Sequence, residues 1–261
     1  MKKNVIFYFT GTGNSLRSAN LIAGRIGDCD VINVAHVKKS DGYDGYMLEG
    51  KPEKVGFVFP AYAQGLPNIM RKFIKTLEMP GIRTAYFFAV VTCGSASGNA
   101  LAQVQALLSS KRLDMTYGAS IKMFSNCIAL YKMQSTANEQ AAESDIEIKR
   151  IADEIANDGR ADIPKAKGML NFVYNLAIKS FPKNAKKYRV LDCCKGCGHC
   201  VNICPVGNIA LENGKPVFAE NCEQCMACIQ WCPNHAINYK STTKESVRYH
   251  HPSISYEEMI K

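Results

Sequence analysis

The chain has 261 residues, 12 of them cysteine, and a formal net charge of +9 at pH 7. This length leaves room for one to three domains. Basic residues are not interleaved with aromatic ones as they are in RNA- or DNA-reading surfaces, so nucleic acid is not expected as a partner. The apolar run after Lys3 stops at Thr10, which is too short for an export signal, and no apolar run approaches the roughly 20 residues of a membrane span. The composition therefore predicts a cytoplasmic protein without a transmembrane segment.

The first predicted strand covers residues 4–9 and ends in a loop rich in glycines and hydroxyls. A helical pattern of apolar residues follows this loop, which consists of Thr10, Gly11, Thr12, Gly13, Asn14 and Ser15. Glycines let the backbone approach an anion, while amides and hydroxyls at a helix N-terminus donate to it. Leu16 stands where a GxGxxG loop has its last glycine, and the Walker pattern GxxxxGK is absent. The loop is predicted to bind a phosphate, with an ordinary strand–helix turn as the alternative.

Strand and helix patterns then alternate as far as residue 157. Further strands are predicted at residues 31–34, 54–59, 84–92 and 115–124. Helices are predicted at residues 67–77, 99–110 and 139–157, and the polar stretch 38–54 is predicted to be a connection. The apolar positions of the last helix are Ile146, Ile148, Ile151 and Ile155. Five alternations of strand and helix predict a parallel α/β sheet.

The loops after the third and fourth strands complete a resemblance to flavodoxins. The third strand is followed by Phe59-Pro60-x-Tyr62-x-x-Gly65-x-Pro67, and the fourth by small residues at 93–98. Residues 1 to about 160 resemble a flavodoxin, which implies a five-stranded parallel sheet of order 2-1-3-4-5 with FMN outside the carboxyl ends of its strands. The resemblance implies that loop 10–15 holds the FMN phosphate and that Tyr62 stacks on the flavin ring. The implied residues around the ring are Pro60, Ala61, Tyr62, Thr92, Cys93, Gly94 and Gly98.

Two features depart from the flavodoxin pattern. The second ring-flanking loop has no aromatic residue, so one ring face is expected to be open or covered by the rest of the chain. The sequence reads MFSNC at residues 123–127, where a resemblance to flavodoxin–ferredoxin fusion proteins would imply Met-Pro-x-Asn-Tyr. The alternative role of Tyr62 is a solvent-facing loop aromatic. Cys93 is predicted to be a buried, inert thiol rather than a reactive one.

Residues 161–189 are predicted to be a basic linker helix. The part from 165 to 189 has no acidic residue, and its basic residues are Lys165, Lys167, Lys179, Lys183, Lys186, Lys187 and Arg189. The apolar positions of a helical pattern ending before Pro182 are Met169, Leu170, Phe172, Val173, Leu176, Ala177, Ile178 and Phe181. The favoured interpretation is a brace whose apolar face joins two domains. The alternatives are docking to an acidic redox partner and attachment to an anionic membrane.

Most of the cysteines fall into one spacing that occurs twice. The first run is Cys194-x2-Cys197-x2-Cys200-x3-Cys204-Pro205, and the second repeats it 28 residues later, from Cys222 to Pro233. The runs resemble two-cluster bacterial ferredoxins, in which the fourth cysteine of each run ligates the other cluster. The ligands that this implies for the first [4Fe–4S] cluster are Cys194, Cys197, Cys200 and Cys232. Those implied for the second are Cys222, Cys225, Cys228 and Cys204.

Other interpretations of the cysteines fit less well. Four-thiolate zinc sites usually have two CxxC pairs per metal, and disulfides need an oxidising compartment. Cys193 is interpreted as a spare thiol, with replacement of Cys194 as ligand the alternative. His199 is interpreted as a solvent-exposed side chain, with a proton relay as the alternative. Two oxidised clusters with their thiolates would lower the net charge to about +5, which weakens any argument from the basic composition.

The whole chain resembles the flavodoxin–ferredoxin fusion proteins of anaerobes. The implied division is a flavodoxin-like FMN-binding domain (1–160), the linker helix (161–189), a small α+β two-cluster ferredoxin domain (190–240) and a tail (241–261) that could pack back on either domain. The implied function is electron transfer between an external low-potential carrier, two [4Fe–4S] clusters and FMN, with a ferredoxin or an acceptor enzyme as partner. The alternatives are a flavin-dependent reductase of a specific small molecule and a non-enzymatic, cluster-stapled sensor or scaffold without FMN. No acid, base or nucleophile constellation stands out, so no catalytic residue is predicted.

Overall fold

A five-stranded parallel sheet forms the centre of the first half of this computed structural model, which describes residues 2–41, 46–130, 133, 137–240, 243 and 246–261. The strands are β1 (Asn4–Tyr8), β2 (Cys29–Asn33), β3 (Lys54–Pro60), β4 (Tyr86–Cys93) and β5 (Tyr117–Lys122). Their order is β2-β1-β3-β4-β5, and neighbouring strands run parallel. This is the flavodoxin-like order, so the predicted architecture is confirmed.

Helices connect the strands on both faces of the sheet. They are α1 (Asn14–Ile26), α2 (Val34–Asp41), α3 (Asn68–Thr76), α4 (Ala100–Ser109) and α5 (Ala137–Ala156). The predicted strand through residue 34 and the predicted connection from residue 38 are both wrong where helix α2 forms. Residues 42–45 of that connection lie outside the described residues. Asn33 Oδ1 accepts a hydrogen bond from the amide of Ala35 at 3.0 Å, so Asn33 satisfies one of the free amides that begin this helix.

The two faces of the sheet bury different residues because side chains alternate along a strand. Phe7 of β1 lies in the cluster that covers one face, and Ile6 lies in the cluster on the other. Helix α5 belongs to the second cluster through Ile148, Ile151 and Ile155, as predicted. The inclusion of Ile146 on that apolar face was wrong, because this side chain is 72% exposed. Two residues along a helix turn the chain by about 200°, so Ile146 lies opposite Ile148.

The second half of the chain contains short elements. They are α6 (Gly168–Ser180), a 3₁₀ turn (Pro182–Lys187), β6 (Tyr188–Val190), α7 (His199–Asn202), β7 (Ile209–Glu212), β8 (Lys215–Phe218), α8 (Ala227–Gln230), β9 (Ile237–Tyr239) and α9 (Tyr256–Met259). Strand β6 pairs with β9, and β7 pairs with β8, both antiparallel. Helices α7 and α8 begin 28 residues apart, so the sequence repeat is also a structural repeat. This small α+β unit agrees with the predicted fold class. Among the described helices, none has the length and apolar character needed to cross a membrane.

Helix α6 docks on the first half of the chain through a face other than the predicted one. Tyr174 and Ile178 are buried, and the Tyr174 hydroxyl donates to the carbonyl of Leu66 at 2.6 Å. Asn171 Oδ1 accepts from the side chain of Asn99 at 2.9 Å. The helix therefore docks on the first half of the chain, but half of the predicted apolar positions do not take part in this contact. The apolar residues that remain half or more exposed are Met169, Phe172, Val173 and Leu176.

Candidate cofactor sites

The loop after β1 is fully enclosed and carries unpaired amides. Thr10 Oγ1 accepts from the Gly13 amide at 3.0 Å, and the Ser15 hydroxyl pairs with the Thr92 hydroxyl at 2.8 Å. All six loop residues are buried. The amides of Gly11, Thr12, Asn14 and Ser15 donate to no residue in the part of the chain that the structure describes. Buried amides are nearly always paired, so this cluster at a helix N-terminus has the donors that an anion requires. The residues present fit the phosphate of FMN.

The carbonyl side of the same loop is covered by the second half of the chain. The indole N–H of Trp231 donates to the Gly11 carbonyl at 3.1 Å, and the amide of His251 donates to the Thr12 carbonyl at 2.8 Å. The Tyr249 hydroxyl donates to Asn14 Oδ1 at 2.7 Å. The C-terminal tail therefore packs on the loop. Residues 246–251 of the tail also contact the cysteine-rich unit.

Tyr62 lies between this loop and the cysteine-rich unit. Its ring meets Phe9 edge-on with centroids 6.0 Å apart, and a Cβ built on Gly11 would lie 3.1 Å from its hydroxyl and 2.5 Å from the carbonyl oxygen of Cys225. Burial raises the pKa of Tyr62 well above 10, and the neighbouring thiolate of Cys225 raises it further. Tyr62 is half-buried, so the alternative prediction of a solvent-facing loop aromatic is wrong.

The two loops predicted to flank a flavin ring touch each other. The amide of Asn99 donates to the carbonyl of Gln64 at 2.9 Å, and a Cβ on Gly98 would lie 2.3 Å from that carbonyl oxygen. The Thr92 hydroxyl is hydrogen-bonded to the Ser15 hydroxyl. Cys93 is buried, whereas Gly94 is exposed. Pro60 ends β3, and the amide of the next residue, Ala61, donates to the Thr92 carbonyl at 2.8 Å. Gln64 therefore joins the two loops directly.

Cys93 fits the interpretation as an inert thiol. Its Sγ lies 3.6 Å from the carbonyl oxygen of Ile121, and burial raises the pKa of the thiol. Burial also raises the pKa of Cys127. A raised pKa lowers the thiolate fraction at neutral pH, and with it the reactivity.

The cysteines of the two runs gather around two small cavities. One cavity is lined by Cys194, Cys197, Cys200 and Cys232. The other is lined by Cys204, Cys222, Cys225 and Cys228. Each cavity thus takes three cysteines from one run and the fourth from the other. Within the described ranges, no three His, Cys, Asp or Glu side chains come close enough to hold one metal ion. In a [4Fe–4S] cube each thiolate binds its own iron, so four thiols surround a space instead of converging on a point.

The surroundings of the thiols match in the two runs. The amide of Asn208 donates to Cys204 Sγ at 3.1 Å, and the amide of Ala236 donates to the equivalent Cys232 Sγ at 3.3 Å. Burial raises the pKa of Cys228 well above 9, and neighbouring thiolates raise it further. Removing these protons at neutral pH requires a strongly positive partner such as iron, and N–H···S bonds then help to set a cluster's potential.

Cys193 and His199 lie at the edge of the first cavity. Cys193 is exposed, with Sγ 3.6 Å from the Asn234 carbonyl oxygen, and it is absent from the cavity lining. His199 is half-buried, so its interpretation as solvent-exposed was wrong. Its ring stacks on Tyr256 with centroids 4.2 Å apart, because the tail returns over this surface.

Sequence reasoning missed Gln230 and Trp231, which connect the parts of the molecule. Gln230 Nε2 donates to the Asn126 carbonyl at 3.0 Å, while its Oε1 accepts from the Tyr249 amide at 2.8 Å. Trp231 also stacks on His250, with centroids 4.3 Å apart. The available signal was a single tryptophan next to a predicted cluster ligand, Cys232.

Comparison with known proteins agrees with the geometry of the thiols. The model of the 4Fe–4S dicluster domain family matches residues 186–233. A ferredoxin from Methanothermococcus thermolithotrophicus is 42% identical over 53 residues, which are 19% of this chain and 88% of that ferredoxin. The chain belongs to the ferredoxin family through this segment. In this ferredoxin-family protein, the dicluster segment follows a flavodoxin-like unit.

Solved structures similar to the protein include two flavodoxins. The flavodoxin of Streptococcus pneumoniae TIGR4 is 14% identical, covers 59% of this chain and 97% of its own, and has a TM-score of 0.39. The two-electron reduced flavodoxin of Megasphaera elsdenii is 16% identical, covers 57% and 97%, and has a TM-score of 0.38. The flavodoxin-like assignment rests on the strand order described above.

Proposed function

We propose that this ferredoxin-family protein is an electron-transfer iron–sulfur flavoprotein that exchanges electrons between an external low-potential carrier, two [4Fe–4S] clusters and FMN. The division that this proposal uses is a flavin-binding unit at 1–160, a linker at 161–189, a two-cluster unit at 190–240 and a tail at 241–261. The observation that carries the proposal is the contact of the phosphate loop with a cluster run. Gly11 of the loop approaches the backbone of Cys225 closely enough that a Cβ would lie 2.5 Å from its carbonyl oxygen.

The residues have separable roles in this proposal. The amides of Gly11, Thr12, Asn14 and Ser15 bind the phosphate, while Tyr62 separates the flavin site from the thiols of the second run. The enclosure of the loop excludes water from the anion. FMN, when bound, exchanges one or two electrons and can adapt one-electron carriers to a two-electron acceptor.

Each set of four cysteines holds one [4Fe–4S] cluster in this proposal. Cys204 of the first run ligates the cluster of the second run, and Cys232 of the second run ligates the cluster of the first. Each cluster is therefore bound by cysteines of both runs. Cys225 of the second set lies beside Tyr62 and the loop, which makes this set the cluster nearer to the flavin. Cys197 of the first set is exposed, which makes that set the entry point for an external carrier.

The test is anaerobic purification of the full chain followed by iron, sulfide and flavin analysis and a stepwise redox titration. We expect two clusters and one FMN per chain, with the flavin reduced by electrons that enter through the clusters. Protein that carries clusters but does not bind added FMN would remove the flavin from the proposal. Protein without reducible clusters would refute it entirely.

A pair of variants tests the exchange of ligands between the runs. Cys204→Ser is expected to weaken the cluster of the second run, and Cys232→Ser that of the first, each leaving about half of the iron. Electron paramagnetic resonance of the reduced proteins distinguishes the remaining clusters. If each variant instead lost the cluster of its own run, the assignment of ligands would be wrong.

A further inference from the structure

Helix α6 presents an apolar stripe to solvent. Met169 is 75% exposed, Phe172 63%, Val173 50% and Leu176 57%. Their spacing of three, four and seven residues places them on one face of the helix. Such a stripe normally faces a protein core, and exposed contiguous apolar surface commonly marks an interaction site.

The stripe is not the face by which the helix docks on its own chain. The docking face carries Asn171, Tyr174 and Ile178, and its polar groups are paired with the flavodoxin-like unit. A Cβ on Gly65 would lie 2.3 Å from the Tyr174 ring, so the helix sits directly against that unit. The helix is therefore fixed with the stripe pointing away from the chain.

Basic residues flank this stripe in the sequence. Residues 165–189 contain seven basic residues and no acidic one. Those that are exposed are Lys165, Lys167, Lys179, Lys183, Lys186 and Arg189. A two-fold contact between copies of this chain would bring these like charges together, which opposes self-association through the stripe. The complementary surface is anionic.

The side chains favour an anionic lipid surface over an acidic protein. Protein interfaces are enriched in aromatic residues, methionine and arginine but depleted in lysine, whereas this stripe is accompanied by six lysines and a single arginine. Six of the seven basic residues are lysines, which act as point charges on flexible stems and can reach lipid phosphates from beside the helix. An apolar face bordered by lysines is the pattern of helices that lie in the plane of a membrane interface.

We propose that helix α6 attaches this protein to the surface of an anionic membrane. Phe172 and Leu176 enter the boundary between headgroups and acyl chains, and the lysines of residues 165–187 contact lipid phosphates. The attachment is peripheral and reversible, because one short stripe buries only a few side chains. The inference does not depend on the flavin and concerns a surface apart from both cofactor sites.

The experiment is sedimentation of the anaerobically purified full-length holoprotein with sucrose-loaded vesicles. One set of vesicles contains equal parts of phosphatidylglycerol and phosphatidylcholine, and the other contains phosphatidylcholine alone. We expect binding to the first set at least about tenfold tighter than to the second, weakened by salt. The variant Phe172→Ser/Leu176→Ser is expected to bind the anionic vesicles at least about tenfold more weakly, from the loss of two large apolar side chains.

The matched control is Leu130→Ser/Ile146→Ser, which removes two apolar side chains that are 76% and 72% exposed elsewhere. This control is expected to bind as the unaltered protein does. Cluster absorbance and circular dichroism check that each variant is folded. Equal sedimentation of the stripe variant and the unaltered protein would overturn the proposal. The proposal would also be overturned if the stripe variant no longer formed a dimer or no longer bound a protein redox partner while its binding to vesicles was unchanged.

Discussion

At the residue scale, the two cysteine runs repeat in backbone conformation as well as in the spacing of their ligands. Gly196, Gly198 and Gly207 have positive φ angles of 66°, 78° and 60°. The residues 28 positions later also have positive φ: Gln224 at 53°, Met226 at 61° and His235 at 49°. The second run thus adopts the glycine conformation with ordinary side chains, at a cost that its packing offsets.

Substitution at these equivalent positions should affect the two runs unequally. Gly196→Ala adds a Cβ 2.7 Å from the Gly214 carbonyl oxygen at a positive φ, so we expect a destabilisation of roughly 1–2 kcal/mol or more and poor assembly of the first cluster. Gln224→Ala, the matched control, keeps a conformation that an L-residue already adopts. Iron content and thermal unfolding measure both effects. An unchanged iron content in Gly196→Ala would contradict this expectation.

At the element scale, helix α6 shows how a correct pattern can be assigned to the wrong face. The periodic apolar residues predicted a helix, and the structure contains it. The apolar positions extend almost around the helix, so the pattern does not distinguish the docking face from the exposed one. Asn171 and Tyr174 decide the orientation through hydrogen bonds to Asn99 and Leu66, which are distant in sequence.

The hydroxyl of Tyr174 should matter more for this docking than any residue of the stripe. Tyr174→Phe leaves the buried Leu66 carbonyl without its donor, which costs roughly 1–3 kcal/mol. We expect faster proteolysis of residues 161–187 in this variant under native conditions. Tyr256→Phe is the control, because its half-buried hydroxyl donates to the His199 carbonyl at the longer distance of 3.2 Å. Equal proteolysis of the segment in both variants would contradict the assigned role.

At the scale of the whole molecule, the phosphate loop is the point where distant parts of the chain meet. Cys225 and Trp231 of the ferredoxin segment and His251 of the tail all contact residues 11–13. Gly11 has no positive φ, so its lack of a side chain serves close approach and not backbone conformation. The close approach of the loop to Cys225 therefore requires a residue without a side chain at position 11.

Gly11→Ala should therefore weaken the contact between the two units. Its Cβ would meet the Cys225 carbonyl at 2.5 Å, and neither backbone can move freely, so we expect a loss of roughly 1–3 kcal/mol and slower electron transfer between clusters and flavin. Gly24→Ala in α1 is the control: a Cβ there meets nothing within 4 Å, and alanine favours the helix by about 0.5–1 kcal/mol. Urea unfolding and flash-reduction kinetics measure the two effects. Normal transfer in Gly11→Ala would argue against this route.

The contact between the tail and the loop should become less stable as pH falls. Burial lowers the pKa of His251 below its ordinary 6.5, and Arg17 and His250 lower it further, whereas Asp145 opposes them. A released or unfolded tail therefore takes up a proton first as pH falls. The stabilisation is complete above about 6.5 and is lost as pH falls through the lower pKa of the folded state.

Hydrogen exchange of residues 249–255 measures this effect. We expect faster exchange, corrected for the intrinsic effect of pH, at pH 5.5 than at pH 7.5 in the unaltered protein. The difference should disappear in His251→Gln and persist in His250→Gln, whose side chain is exposed. Persistence of the difference in His251→Gln would assign it to another group.

The sequence by itself determined the parallel sheet, the candidate phosphate loop and the spacing of the thiols, because each depends on residues close together in the chain. Residues 4–15 specify a strand, a turn and a helix N-terminus, and the two cysteine runs specify their own local loops. Only the tertiary structure decided that the tail covers the loop, that Ile146 and Phe172 are exposed, and that His199 lies under Tyr256. These features depend on long-range packing: a helical pattern shows that a face is apolar, but only the surfaces that meet it decide which face is buried.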